Sequence, residues 1–187
     1  MLIVLAAVVG AGLTVWVAAG SGQKKKAIDP ASIQGPQVRI GDIVYNVTAV
    51  RVLRRDRPSD APYLPNKQAP PKGVAYLGVF LKLYNLNGDK AQPSAPGYLL
   101  EPTKAPGLVV MQQASESPYD FKGGDVPAAS VIPDPGAAAG PIPGALLLYN
   151  ITGPMTRAQP FRLVIHTGAE NGFIILPRVP NLTGGGH

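Results

Sequence analysis

Gly73 to Asp89 reads GVAYLGVFLKLYNLNGD, and its alternation decides the fold. Ala75, Leu77, Val79, Leu81 and Leu83 fall on one side of a period-2 ribbon, and Tyr76, Phe80, Lys82 and Tyr84 fall on the other. A helix would scatter both sets around its circumference, so the run is extended. Asn87, Gly88 and Asp89 close it with turn residues. One aliphatic face and one aromatic, partly polar face suit the central strand of a sheet that packs on a second sheet.

Upstream, Gln37 to Ile40, a Gly41-Asp42 turn and Ile43 to Leu53 predict a hairpin. Tyr45, Val47 and Ala49 alternate before Val50 and Val52 take the other parity, which predicts a bulge near Ala49. Arg54 to Lys72 is a Pro-rich loop. Downstream, Tyr98 to Glu101 and Leu108 to Gln112 predict a second hairpin of short, edge-like strands. Glu116 to Pro143 is the longest irregular stretch, a length that implies a functional loop or one packed along the side of the sheets. Ala145 to Ile151 and Phe161 to His166 are expected to pair around Gly153-Pro154, with Leu147, Tyr149, Ile151, Phe161, Leu163 and Ile165 inward. Phe173 to Val179 adds an eighth strand.

The 22 Gly and 21 Pro cluster between the apolar runs, which favours many short strands joined by turns over long helices. The reading is an all-β protein: an antiparallel, immunoglobulin-like β-sandwich over residues 37–187, preceded by a tether over 21–36 and a single transmembrane helix over 1–20. With no cysteine there is no disulfide, thiolate nucleophile or lipid-modified cysteine. The only tryptophan, Trp16, lies in the leader, so the likeness to antibody domains is one of architecture.

Met1 to Gly20, MLIVLAAVVGAGLTVWVAAG, carries no charged side chain. As a helix, Leu2 to Ala19 would cover about 27 Å, near a bilayer core of ~30 Å. A cleaved secretory signal is the competing reading. The length of the run and the missing basic n-region favour an uncleaved anchor. The net charge of +6 is partly local, with Lys24, Lys25 and Lys26 beside the leader, where membrane lipid headgroups explain them. The positive-inside rule places these lysines and the domain in the cytoplasm; a basic leader upstream of Met1 would place the domain outside.

The strand-and-Asn pattern VAYLGVFLKLYNLNGD, a short hairpin, a Pro-Gly loop leading into an apolar strand (PGAAAGPIPGALLLYNI) and the short strand FRLVIH together resemble a bacterial family of immunoglobulin-like domains of unknown function. The family occurs on secreted proteins, lipoproteins and single-pass membrane proteins, and includes a secreted immunogenic antigen. The likeness covers roughly Val38 to Ile165, and the chain departs from it in lacking a lipobox cysteine and in its longer Pro-rich loops. The resemblance implies a single-pass protein of the cell membrane with an extracytoplasmic, non-catalytic sandwich.

Catalytic chemistry finds few candidates. The histidines are His166, at a strand end, and His187, and no G-x-S-x-G elbow presents a serine. The loop carboxylates offer no pair that spacing selects. Asn85, Asn87 and Asp89 resemble calcium-loop oxygens, but turn geometry uses the same residues and the closing glutamate is missing. No glycine loop cradles a phosphate. No enzyme activity, cofactor or metal is expected.

Two surfaces are candidates for binding. Arg51, Arg54, Arg55 and Arg57 form either a solvated strand end balanced by Asp56 and Asp60, or a contact for lipid headgroups or an acidic partner. Only Tyr63 is an aromatic neighbour, which disfavours nucleic acid. Tyr76, Phe80 and Tyr84 would form an aromatic docking face for a protein partner, such as another subunit of a membrane complex, unless the Glu116 to Pro143 loop covers them. The alternative function is a carrier or sensor holding a small apolar ligand under that loop.

Overall fold

The computed structural model describes residues 28–65, 70–105, 107–113, 117–134, 140–180 and 182. The apolar leader, Lys24, Lys25, Lys26 and the first part of the tether lie outside the described residues. No helix among the described residues is long and apolar enough to cross a membrane.

In chain order the strands are β1 (Gln37–Ile40), β2 (Ile43–Leu53), β3 (Val74–Asn85), β4 (Gln92–Pro93), β5 (Gly97–Pro102), β6 (Val110–Met111), β7 (Asp125–Val126), β8 (Val131–Ile132), β9 (Ala145–Thr152), β10 (Phe161–His166) and β11 (Asn171–Ile175). A short helix, α1 (Gly153–Arg157), joins β9 to β10. One sheet runs β1-β2-β3, with β9 and β8 sharing the far edge of β3; the other runs β11-β10-β5-β6. A small ribbon, β4 with β7, caps one end, and the paired strands are antiparallel.

The two sheets bury one core between them. Leu77, Val79, Leu81 and Leu83 of β3 and Leu147, Tyr149 and Ile151 of β9 meet Leu100, Leu163 and Ile165 of the second sheet. Each of these side chains is 0% exposed. The aliphatic face of the central strand therefore does what its alternation implies, removing a continuous apolar surface from water.

The parity change in β2 is a bulge. Val47 lies opposite Leu81 and Ala49 opposite Phe80, which leaves Thr48 as the extra residue. Its hydroxyl donates to the Phe80 and Pro143 carbonyls. Beyond it Val50 and Val52 stay on the inter-sheet side, while Ala49 and Leu53 pack on the opposite face. Gly144 sits against this bulge at φ +117°, where a Cβ would come within 2.9 Å of Thr48 Oγ1 and 3.1 Å of Leu81 N. Gly144→Ala is expected to cost about 2 kcal/mol or more, from the backbone conformation and the contact together. A lowered urea midpoint with an unchanged slope would record it.

Two expectations about the path of the chain need correction. β9 and β10 do not pair: β9 lies against β3, with Ala75 opposite Ile151, and β10 lies between β5 and β11. The connection from Gly153 to Pro160 is longer than a hairpin turn and carries the chain across the ~10 Å between sheets. Met155 of α1 is buried beneath that crossing. The second correction concerns the tether. Asn46, 2% exposed among the apolar residues that open β2, donates to the carbonyls of Gln34 at 2.9 Å and Pro36 at 3.3 Å. Val47 N–H donates to Pro36 O at 2.9 Å. Residues 34–36 thus belong to the body of the sheet.

Candidate functional site

The aromatic face of β3 is roofed by the chain itself. Tyr63, from the loop after β2, meets Phe80 edge-on at 5.0 Å between ring centroids and 81° between planes, and Tyr119 packs on Tyr63 at 5.1 Å. The Tyr63 hydroxyl accepts the Ile142 N–H at 2.8 Å. Leu53, Leu64, Ile142, Leu146 and Leu148 complete a second apolar core around Phe80. Phe80 is 0% and Tyr76 9% exposed. Of the two readings of this face, a docking surface or a covered interior, the structure has the interior, built by the loops between β2 and β3 and before β9. The cause is the hydrophobic effect: rings on this face of β3 attract the apolar residues of both loops. Tyr84 lies toward the far end of the strand and is half-buried, and burial raises its hydroxyl pKa.

The arginines divide. Arg51 points to the same face as Leu53 and pairs with Asp60 at 2.6 Å. Asp60 is 0% exposed and also accepts the Arg54 N–H at 3.0 Å. This pair ties the β2–β3 loop to the strand and is structural. Arg54 forks onto Asp56 through Nε and a terminal nitrogen, at 2.9 and 2.6 Å. The fork lowers the Asp56 pKa and raises that of Arg54. Arg55 and Arg57 are exposed. Arg51 is thus half-buried against a buried carboxylate, and the other three form a charged rim.

Among the described residues, exposed apolar side chains gather elsewhere, on the outer face of the second sheet. The registers place Met111 opposite Leu99, Leu99 opposite Val164, and Val164 opposite Phe173. These four side chains form a row across β6, β5, β10 and β11, pointing away from the core that Tyr98, Leu100, Leu163 and Ile174 fill. Met111 is 69% and Phe173 56% exposed. Beside the row run Glu101, Arg162 and Ile175, with Arg162 donating to Glu101 at 2.8 Å and its guanidinium 5.8 Å from the Phe173 ring centre. The Arg162 bond, with the Gly107 N–H as a second donor, lowers the Glu101 pKa. At its β6 end the row opens into a surface cleft of about 400 Å³ lined by Leu99, Met111, Gln112 and Phe121. The four residues of the row lie far apart in the chain. Only the registers reveal that they are neighbours.

Other candidate chemistry resolves into structure. Asn85, buried within β3, donates to the carbonyls of Lys90, Val126 and Pro127 and accepts the Asn87 N–H, and Asn87 in turn accepts from Asp89 and Lys90. These residues build the β3–β4 turn. His166 lies in an outward row with Gly97 and Asn171. Among the described residues no three His, Asp or Glu side chains gather with metal-binding spacing. Compared with protein-family models, curated proteins and solved structures, the chain matches none.

Proposed function

We propose that this chain is a non-catalytic, membrane-tethered β-sandwich of immunoglobulin-like type, anchored by its apolar leader, that binds another protein through the outer face of its second sheet. The observation that carries the reading is the apolar row Met111, Leu99, Val164 and Phe173, exposed at its two ends and half-buried between them. A contiguous apolar surface left uncovered by a folded domain is characteristic of interaction sites, and the adjoining cleft offers a pocket for an anchoring side chain. The Arg162–Glu101 pair at its margin supplies the polar rim that such interfaces carry. Attachment to a membrane and an extracytoplasmic position rest on the leader and on the family resemblance.

The test is a paired substitution, Met111→Ser with Phe173→Ser, in the full chain. Both positions are more exposed than buried, so the variant should melt within about 1 kcal/mol of the parent. Its partner, recovered by crosslinking in native membranes, should be lost. Undiminished crosslinking to the same partner in the folded variant would refute the reading.

A further inference from the structure

The sandwich has a basic end. β2 stops and β3 starts there, with Leu53 opposite Tyr76, and β9 finishes there with Thr152 opposite Val74. In the second sheet the corresponding ends are Pro102 of β5, opposite Phe161, and Ile175 of β11, opposite Arg162. The β2–β3 connection brings Arg54, Arg55, Arg57 and Lys72 to this end, and the other segments bring Lys104, Arg157 and Arg178. Of the carboxylates there, Asp60 is committed to Arg51, Asp56 to Arg54 and Glu101 to Arg162. The opposite end carries Asp42, Asp89, Asp125 and Glu170 in or beside its turns, together with Arg39, Lys90 and Lys122.

Within the basic end, Lys104, Arg157 and Arg178 line one cleft of about 460 Å³ together with Thr156 and Gln159. Three segments meet there and are laced together. Gln159 donates to Val179 O at 3.2 Å and accepts the Val179 N–H at 2.9 Å, which fixes the residue next to Arg178. Thr103 donates to Pro160 O from both its N–H and its hydroxyl at 2.9 Å, which fixes the residue next to Lys104. No described carboxylate lies within ion-pair distance of the three cations.

The chain between the leader and the sheets is short. β1 is antiparallel to β2, and Pro36 continues the ladder opposite Val47. Gly35, at φ +100°, then turns the chain so that Gln34 O accepts from the Asn46 side chain at 2.9 Å. Ser21 to Ala27, the stretch between the apolar leader and the described residues, spans at most about 25 Å when extended.

We propose that the basic end docks on an anionic membrane surface, with lipid phosphate groups seated in the cleft between Lys104, Arg157 and Arg178. The inference rests on the reading that the leader lies in the bilayer. Clustered cations facing the leaflet that anchors the chain gain from its surface potential, at about fivefold in equilibrium per residue. Docking holds the sandwich in a fixed orientation, with the apolar row on its flank.

Because the chain has no cysteine, single labels are clean. Full-length Pro154→Cys and Asp89→Cys, labelled with a fluorophore, are reconstituted into vesicles of phosphatidylcholine alone or with phosphatidylserine, each carrying a headgroup quencher. Quenching at 154 is expected only in the phosphatidylserine vesicles, with none at 89. Lys104→Gln, Arg157→Gln and Arg178→Gln together should weaken docking about a hundredfold. Equal signals at 154 in both vesicle types, with flotation intact, would overturn the docking end and leave the anchor standing. Failure to float with phosphatidylcholine vesicles would remove the anchor alone, since the contrast between 154 and 89 in phosphatidylserine vesicles still reads the basic end. A response at 154 to inorganic phosphate, without contrast between vesicle types, would reassign the cleft to a free anion and overturn the lipid assignment.

Discussion

Leu81→Asp is expected to abolish the folded state, while Lys82→Asp leaves it within about 1 kcal/mol of the parent. Leu81 is 0% exposed and packs in the inter-sheet core; Lys82, its neighbour, is half-buried on the opposite face. A carboxylate at position 81 would have no partner and no water, a penalty of several kcal/mol added to the lost Leu packing. That sum is a large part of the ~5–15 kcal/mol that stabilises a typical domain. Far-ultraviolet circular dichroism and urea unfolding separate the variants. Equal loss in both would mean the faces of β3 are misassigned.

Asp60→Ala is the second large effect, at about 3–5 kcal/mol, because it strands the Arg51 guanidinium and removes the acceptor of the Arg54 N–H. Arg51→Ala should be comparably costly, since it leaves the Asp60 carboxylate buried without its cation. Replacing both, Arg51→Met with Asp60→Leu, should recover part of the loss, as buried pairs exchanged for apolar residues often do. Full recovery is not expected, because the Arg54 N–H would still lack its acceptor. Urea unfolding of the four chains completes a double-mutant cycle. A stable Arg51→Ala protein would instead return Arg51 to the group of surface residues available to a partner.

Local features were legible in the sequence where a local pattern determined them. The alternation of β3 located its two faces, the parity change after Ala49 located the bulge, and Gly41-Asp42 located the first turn. Alternation also assigned Leu163 and Ile165 inward, as the structure has them. What it does not encode is the identity of the neighbour. β9 and β10 each read as a half-buried strand, and either could pair with the other or with a strand far away in the chain. The topology depends on how the connection through α1 is laid across the core.

The same limit hid the apolar row. Leu99, Met111, Val164 and Phe173 are scattered over the chain, and their adjacency is a property of three registers. The aromatic face of β3 was visible, and its cover was only partly so. The Glu116 to Pro143 loop is long enough to read as a roof, and Tyr63 and Leu64 are the matching signal in the preceding Pro-rich loop. Two large apolar residues beside the buried Asp60 mark a loop that folds inward. Asn46 was the corresponding signal for residues 34–36, because a buried amide among apolar residues must find backbone partners.

The most direct measurement is photocrosslinking in intact native membranes, with the reactive phenylalanine analogue placed either at position 173, on the outer face of the second sheet, or at position 84, at the edge of the roofed aromatic face. The account predicts a discrete adduct with a second polypeptide from position 173 and none from position 84. An adduct from position 84 with none from position 173 would contradict it, and would move the binding surface back to the face of β3.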